Sequence, residues 1–464
     1  MLVDDTISNL STRLKKKEIS AVDIATECLE QIEKLNPKIN AFITQVNPKT
    51  VLNHAKKIKL TTSLSGIPYV LKDAYITKDL RTTAGSNVLS NYIPQYDATV
   101  VSKVNSAGSI LLGKMNMDAW GHGGSTENTD FSPTRNPWDI TRVAGGSGGG
   151  PAAAIASRMC SFAIGEDSGG SIRNPAGWCG ITGLKVTYGR VSRYGSIAYA
   201  SSFDTVGPTA KTAEDCALIL QYIAGLDPYD ATSSPLPVGN YLSHLREDIK
   251  GKIIGLPKEF MGKGLDSEVK QLVLQAAKKF IDLGAKVEEV SLPTLEYGIS
   301  VYYLLAPSET SSNLARYDGI RYGNGRDKFT PETMRRIMIG TYALSAGYYD
   351  AYYKKAQQAR TLIVKDFEKV FNRCDMILSP VSPTPPTKLG ELINDPVKNM
   401  LADIYTLTTN TAGIPALALP CGFTKTGLPV GMQLQGPMFS EKLLLQAGYA
   451  YQQTTSWHVQ KPQL

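Results

Sequence analysis

The chain has 464 residues, 42% hydrophobic and 20% charged, a composition that supports substantial cores and excludes disorder over most of the length. Its formal net charge of +7, from 49 basic and 42 acidic residues, is mild, and beyond Lys15 to Lys17 there is no dense basic block, so a nucleic-acid partner is neither called for nor ruled out. The six cysteines show no CxxC spacing and no pairing with the four histidines, the N-terminus has no apolar leader core and no apolar run reaches spanning length; the expected setting is a reducing cytoplasm, with buried, inert thiols.

In chain order, Val22 to Leu35 carries apolar residues at helical spacing, and Asn36-Pro37 is expected to stop that helix before a strand in INAFITQVN. In GIPYVLKD an apolar strand, Ile67 to Leu71, delivers Lys72 at its end, where a lysine is costly unless neutral or paired. Thr99 to Met117 reads as helix, turn at Gly108 and strand, followed by the small-residue loop MNMDAWGHGGSTEN. His122 in this loop invites a Ser-His-Asp triad, but no GxSxG elbow is present.

Two glycine-flanked serines follow, Ser147 in GGSGGG and Ser171 in DSGGSIR, either side of a helix starting near Pro151 and an apolar run, Phe162 to Ile164. Glycines this dense point to a backbone that approaches something closely, and a substrate oxygen is the expected candidate. Gly148, Gly150 and Ala153 fit a relaxed GxGxxA phosphate cradle, but neither a convincing preceding strand nor a GK[ST] supports it. Further on, Asp227 to Asn240 is a proline-rich surface excursion, and Lys252–Leu256, Ser267–Leu283 and KVEEVSLP form strand, helix and strand. From Phe329 a long tyrosine-rich helical run reaches VFNR, its tyrosines assigned to core and a packing face. CDMILSP then reads as a strand, ALALPCGFTKTGLPVGMQLQGP as a hairpin turning at Lys425 to Gly427, and Lys442 to Gln453 as a closing helix. The fold class is α/β, one compact domain over 1–464 with a mixed sheet surrounded by helices.

The serine loops, with Ser147 75 residues after Lys72 and Ser171 a further 24 on, resemble the amidase signature family. The likeness runs through GKMNMDAWGHGGSTEN, ASSFDTVGP, APSETSSNLARYDGIRYG and AGIPALALPCG, and resembles most the branch that serves as the glutaminase (A-type) component of aspartyl/glutamyl-tRNA amidotransferases. It implies the amidase-signature fold, with a signature core at about 65–210 and a subsidiary α/β region at about 250–370. Amide hydrolysis needs an activated nucleophile and fixed donors for the oxyanion. By resemblance, neutral Lys72 takes a proton from Ser147, which follows a cis peptide and takes one from the nucleophile Ser171. The N–H groups of Ser168, Gly169, Gly170 and Ser171 form the oxyanion hole, and Gly124 and Ser125 line the acyl pocket.

Free glutamine carries an α-carboxylate and an α-ammonium, so its pocket needs a cation and an anion. Residue by residue, the resemblance assigns the carboxylate to Arg336, the ammonium to Asp403 and the remaining wall to Tyr302. It also implies a B-type partner subunit carrying ATP, Mg and the misacylated tRNA, a small C-type third subunit, and no cofactor, metal or membrane contact for this chain itself. The sequence departs from the usual GGSSGGS at Gly148 and Pro151, and is shortened between Tyr322 and Arg335. A stand-alone amidase and a non-catalytic scaffold are the alternatives.

Overall fold

The computed structural model describes residues 1–262, 264–317 and 323–464; the DGIRY part of one family-like stretch, 318–322, lies outside the described residues. Eleven strands form one mixed sheet. They are β1 (Phe42–Gln45), β2 (Pro68–Lys72), β3 (Ile110–Met115), β6 (Phe162–Asp167), β7 (Thr182–Lys185) and β8 (Thr205–Ala210), then β9 (Ile253–Pro257), β10 (Lys286–Val290), β11 (Met376–Pro380), β12 (Ala416–Phe423) and β13 (Pro429–Gln435). A separate hairpin pairs β4 (Arg135–Asn136) with β5 (Asp139–Val143).

Across the sheet the order is β1-β3-β2-β6-β8-β7-β12-β13-β11-β9-β10. Strands β3, β2 and β6 run parallel, β6, β8, β7, β12, β13 and β11 alternate antiparallel, and β11, β9 and β10 are parallel again. Every residue of β2, β6, β7 and β8 is buried, because helices cover both faces; the edge strand β10 has only Val290 fully buried. Parallel β2 and β6 therefore end side by side inside the protein, which brings Lys72 beside Glu166. Among the described residues no helix is long and apolar enough to cross a membrane.

Three local expectations are corrected. The helix expected over Val22 to Leu35 does not stop at Asn36-Pro37 but spans Ala21–Ile39, ending at a left-handed Asn40, while Asn36 Oδ1 accepts the N–H groups of Ala41 and Phe42. Pro37 has no N–H to give the Glu33 carbonyl, a loss confined to the last turn of the helix. A strand does precede the glycine loop, the short β5.

The run from Phe329 is broken into helix Pro331–Ala343, a π-turn at Asp350–Lys354 and helix Lys355–Phe371, with Gly347 at φ +85° between them. Tyr342 and Tyr349, both before the π-turn, are 51% and 45% exposed and so fall outside the core part of the expectation. They belong to a surface ladder in which Tyr342 packs on Tyr348 and Tyr349 on Tyr353.

Candidate active site

Lys72, at the end of β2, is fully buried, and a cation there requires compensation. Its Nζ lies 2.8 Å from Ser147 Oγ, 3.0 Å from Glu166 Oε2 and 3.3 Å from the Glu166 carbonyl oxygen. Of the two ways to carry a buried lysine, this arrangement is the paired one.

Ser147 reaches Lys72 through a loop whose backbone is fixed at almost every residue. The Gly146–Ser147 peptide is cis. Gly146 N–H donates to Asn174 Oδ1 (3.2 Å), Ser147 O accepts from Asp118 N–H (3.1 Å), and Gly149 N–H donates to Thr126 Oγ1 (2.9 Å). A side chain at 146 would run into Asp118 and the Ser125 nitrogen, so only glycine fits. Gly148 N–H donates to Ser171 O at 3.2 Å, tying the two serine loops together, and a Cβ at 148 would come within 2.6 Å of that same oxygen. Glycine at this departure from the family motif thus keeps the second loop where it is.

The Ser171 turn is organised by Asp167, at the end of β6. Its carboxylate accepts the N–H of Gly170 (2.8 Å) and of Ile172 (3.1 Å) and pairs with buried Arg173 at 3.0 Å. Burial alone would raise the Asp167 pKa, but the charge and hydrogen bonds of Arg173, with help from Lys185 and Asn410, hold it at about 2. Arg173 is itself satisfied by Gln433 Oε1 (2.8 Å), Asn410 Oδ1 (2.5 Å) and Thr406 O (3.1 Å).

This geometry removes Gly170 from the expected oxyanion donors, because its N–H is already spent on Asp167. The N–H groups of Ser168, Gly169 and Ser171 find no acceptor among the described residues. Ser171 retains 8% exposure, more than Lys72 or Ser147, and its hydroxyl is hydrogen-bonded to no described residue. Ser147 and Ser171 are thus joined through backbone, not through their hydroxyls.

The opposite wall comes from distant helices. Tyr302, on helix Gly298–Asn313, lies so close to the turn that a Cβ on Gly169 would meet its hydroxyl at 2.6 Å. Arg336, on helix Pro331–Ala343, is buried, donates to Glu332 Oε1 (2.8 Å) and Tyr199 Oη (2.6 Å), and stacks on Tyr303 at 5.0 Å. Asp403, at the end of helix Pro396–Ala402, lies between the two glycine loops. Cβ atoms built on Gly124 and Gly170 would each come within 3.4 Å of its carboxylate.

Asp403 Oδ1 has no hydrogen-bond partner among the described residues, and burial, partly offset by the charge of Arg336, pushes this carboxyl well above the usual range. Such a group suits an incoming cation. Gly124 N–H is held by Asn399 Oδ1 at 3.2 Å, and Ser125 is buried beside Gly146. A cavity of about 610 Å³, lined by Glu127, Glu332, Arg335, Leu392 and Asn399, opens beside this wall and does not include Ser171.

His122 is buried between Thr310 (3.2 Å) and Thr333 (3.1 Å), edge-on to Tyr199, and hydrogen-bonds to neither serine. Burial, with Arg336 nearby, drives its pKa well below the ordinary value, so the ring is neutral. Among the described residues no three His, Cys, Asp or Glu side chains are grouped to hold a metal, and the six cysteines are buried and free.

Sequence reasoning overlooked four groups at the centre: Asp118, Glu166, Asp167 and Asp204. Asp118 accepts the N–H of Thr126 (2.9 Å) and Asn128 (3.0 Å) beneath the cis peptide, and burial raises its pKa to about 6. Only Asp167 left a signal, an Asp and an Arg bracketing a turn of small residues.

The family model described as Amidase matches residues 23–445. The A-type subunit of glutamyl-tRNA(Gln) amidotransferase of Geobacillus kaustophilus (strain HTA426) is 50% identical over 484 residues, covering all of both chains. The crystal structure of the same A-type subunit from Thermotoga maritima superposes with a TM-score of 0.85 at 40% identity, over 96% of this chain and 94% of that one. A bacterial aryl acylamidase of the amidase signature enzymes family superposes with a TM-score of 0.87 at 26% identity, over 98% and 96%.

Proposed function

Since the chain belongs to the amidase family, we propose that it is the glutamine-hydrolysing subunit of a tRNA-dependent amidotransferase, working in the cytoplasm. The observation that carries this reading is the 2.8 Å contact of Lys72 Nζ with Ser147 Oγ, sealed from solvent beside the more open Ser171. A serine hydroxyl becomes a nucleophile when a base takes its proton. In the proposed reaction Ser171 attacks the side-chain amide of glutamine while its proton passes to Ser147 and that of Ser147 to Lys72. The tetrahedral oxygen is met by the N–H groups of Ser168, Gly169 and Ser171. Return of the proton to the leaving nitrogen releases ammonia and leaves a γ-glutamyl ester on Ser171, which water hydrolyses by the same relay.

The recognition wall supports glutamine over apolar amides. Arg336 meets the α-carboxylate, Asp403, with its unpaired Oδ1, meets the α-ammonium, and Tyr302, Gly124 and Ser125 enclose the chain between them. Ammonia then serves a B-type partner subunit that binds ATP, Mg²⁺ and misacylated Glu-tRNA(Gln) or Asp-tRNA(Asn), with a small C-type subunit joining the two. Likeness to the aryl acylamidase keeps a stand-alone amidase as the second reading. Ammonia release from glutamine and arylamine release from anilides, for the wild-type chain and Ser171→Ala, with and without partner, ATP and misacylated tRNA, separate them. Partner-stimulated, Ser171-dependent release from glutamine is expected. Cleavage of anilides with glutamine untouched gives the stand-alone amidase, and binding of the partner with no cleavage gives a scaffold.

A further inference from the structure

Lys72 Nζ has three neighbours that accept hydrogen bonds, Ser147 Oγ, the Glu166 carbonyl and Glu166 Oε2, and an ammonium has three N–H groups and no acceptor. With all three protons so placed, no lone pair faces Ser147. For Lys72 to receive a proton it must release one, and of the acceptors it touches Glu166 Oε2, at 3.0 Å, is the one that ionises.

Beyond Glu166 lies a second carboxyl. Ser168 Oγ is 3.2 Å from Glu166 Oε1 and 2.6 Å from Asp204 Oδ1. A hydroxyl has one hydrogen, so both contacts are hydrogen bonds only if one of the two carboxyls carries a proton. Burial, reinforced by the charge of Glu166, pushes the Asp204 carboxyl well above its ordinary range, which places that proton on Asp204.

Building on the relay proposed above, we propose that Glu166 is a positioning residue at which the relayed proton comes to rest. The Nζ–H bond directed at Glu166 breaks and an Oε2–H bond forms; the amine turns its lone pair to Ser147, the Ser147 O–H bond breaks as a new Nζ–H bond forms, and Ser147 takes the proton that leaves Ser171. Lys72 begins and ends as an ammonium, Glu166 passes from carboxylate to carboxylic acid, and the negative charge it loses reappears on the tetrahedral oxygen at Ser171. On collapse each proton moves back one step, so that one reaches the leaving nitrogen. Activity then requires an ionised Glu166, not a resting neutral lysine.

Other charged or titratable groups face this network. Asp118 feels the charge of Lys72, Tyr75 feels those of Glu166 and Asp204 and donates to Gly165 O, and Arg193 feels that of Asp204. The tyrosine does not compete for the proton, since burial first, then neighbouring carboxyl charge, Glu166 foremost, pushes its pKa well up.

The test is the pH dependence of Ser171 phosphonylation by a fluorophosphonate on the full chain, and of glutamine hydrolysis by the enzyme with its partner, for wild type, Glu166→Gln and Glu166→Asp. Expected for Glu166→Gln is a loss of at least ~10-fold in labelling rate and kcat at neutral pH, with KM unchanged. Its acid limb moves to higher pH, because Lys72 must now lose a proton to solvent. Glu166→Asp, which keeps the carboxylate, falls between the two and retains the wild-type limb.

Wild-type rates and limb in Glu166→Gln would overturn the proposal, as would a faster variant whose limb moves to lower pH. Should Glu166→Gln not fold, an upward-shifted limb in Glu166→Asp contradicts it equally. A wild type that is labelled but leaves glutamine untouched defeats the glutaminase reading and leaves the labelling profiles to judge Glu166. A wild type that is not labelled defeats both.

Discussion

Lys72, Ser147 and Ser171 span 99 residues and are placed largely by backbone: a strand end, two glycine turns and one N–H to carbonyl link between the loops. Arg336, Asp403 and Tyr302 come from three helices; Glu332 and Tyr199 hold Arg336 and aromatic packing holds Tyr302, while Asp403 Oδ1 has no hydrogen-bond partner among the described residues. Backbone-fixed groups keep their positions at little further cost, which suits groups that must meet a transition state. Side-chain walls bind the parts of a substrate that do not react, and can vary with it.

The contrast breaks most visibly at Ser171. Ser171→Ala is expected to lower kcat by ~10⁴-fold or more with glutamine still bound, measured as ammonia release beside equilibrium glutamine binding. Next comes the carboxylate that shapes the turn. Arg173→Met leaves Asp167 buried without its cation, and urea unfolding is expected to show a loss of ~3–5 kcal/mol.

Asp118 and Asp167 sharpen the comparison within the backbone-fixed half, since one carboxylate has a cation in contact and the other only N–H donors. A folded pKa of about 6 against 3.8 unfolded means that Asp118 contributes most below pH 4, and that this contribution is lost as pH rises through 6. The stability of wild type relative to Asp118→Asn is therefore expected to fall by ~2–3 kcal/mol between pH 4 and 7, read from melts at fixed pH. The ionised state of Asp167, held at about 2, contributes stability above pH 4 and loses it only as pH falls toward 2. On the recognition wall, Arg336→Met is expected to raise KM for glutamine by ~10- to 100-fold with a smaller change in kcat, the loss of a charge-assisted hydrogen bond. An equal fall in kcat and kcat/KM would move Arg336 to the reacting side.

The strands and most helices were legible because each is announced locally, by apolar runs and turn residues, whereas Lys72, Ser147 and Ser171 were singled out by the family resemblance, with which a lysine closing a buried strand and two glycine turns merely agree. Glu166 and Asp204 were not, since their meeting depends on the antiparallel register of β6 and β8, in which Asp167 opposes Thr205. No pattern along either segment encodes that register. Gly170 was misassigned for a similar reason: a turn rich in N–H groups reads as an oxyanion hole until one sees that Asp167 has claimed some of them. The tyrosines from Tyr342 to Tyr352 were expected to serve core and a packing face; of the exposed ones, Tyr342, Tyr348 and Tyr352 pack on one another at the surface.

The most direct measurement of the central claim is to quench the enzyme, assembled with its partner, during glutamine turnover and map the modified peptide by mass. The account predicts a γ-glutamyl ester on Ser171 in wild type and none in Ser171→Ala. An ester on Ser147 or another residue, or turnover that persists in Ser171→Ala, would contradict it.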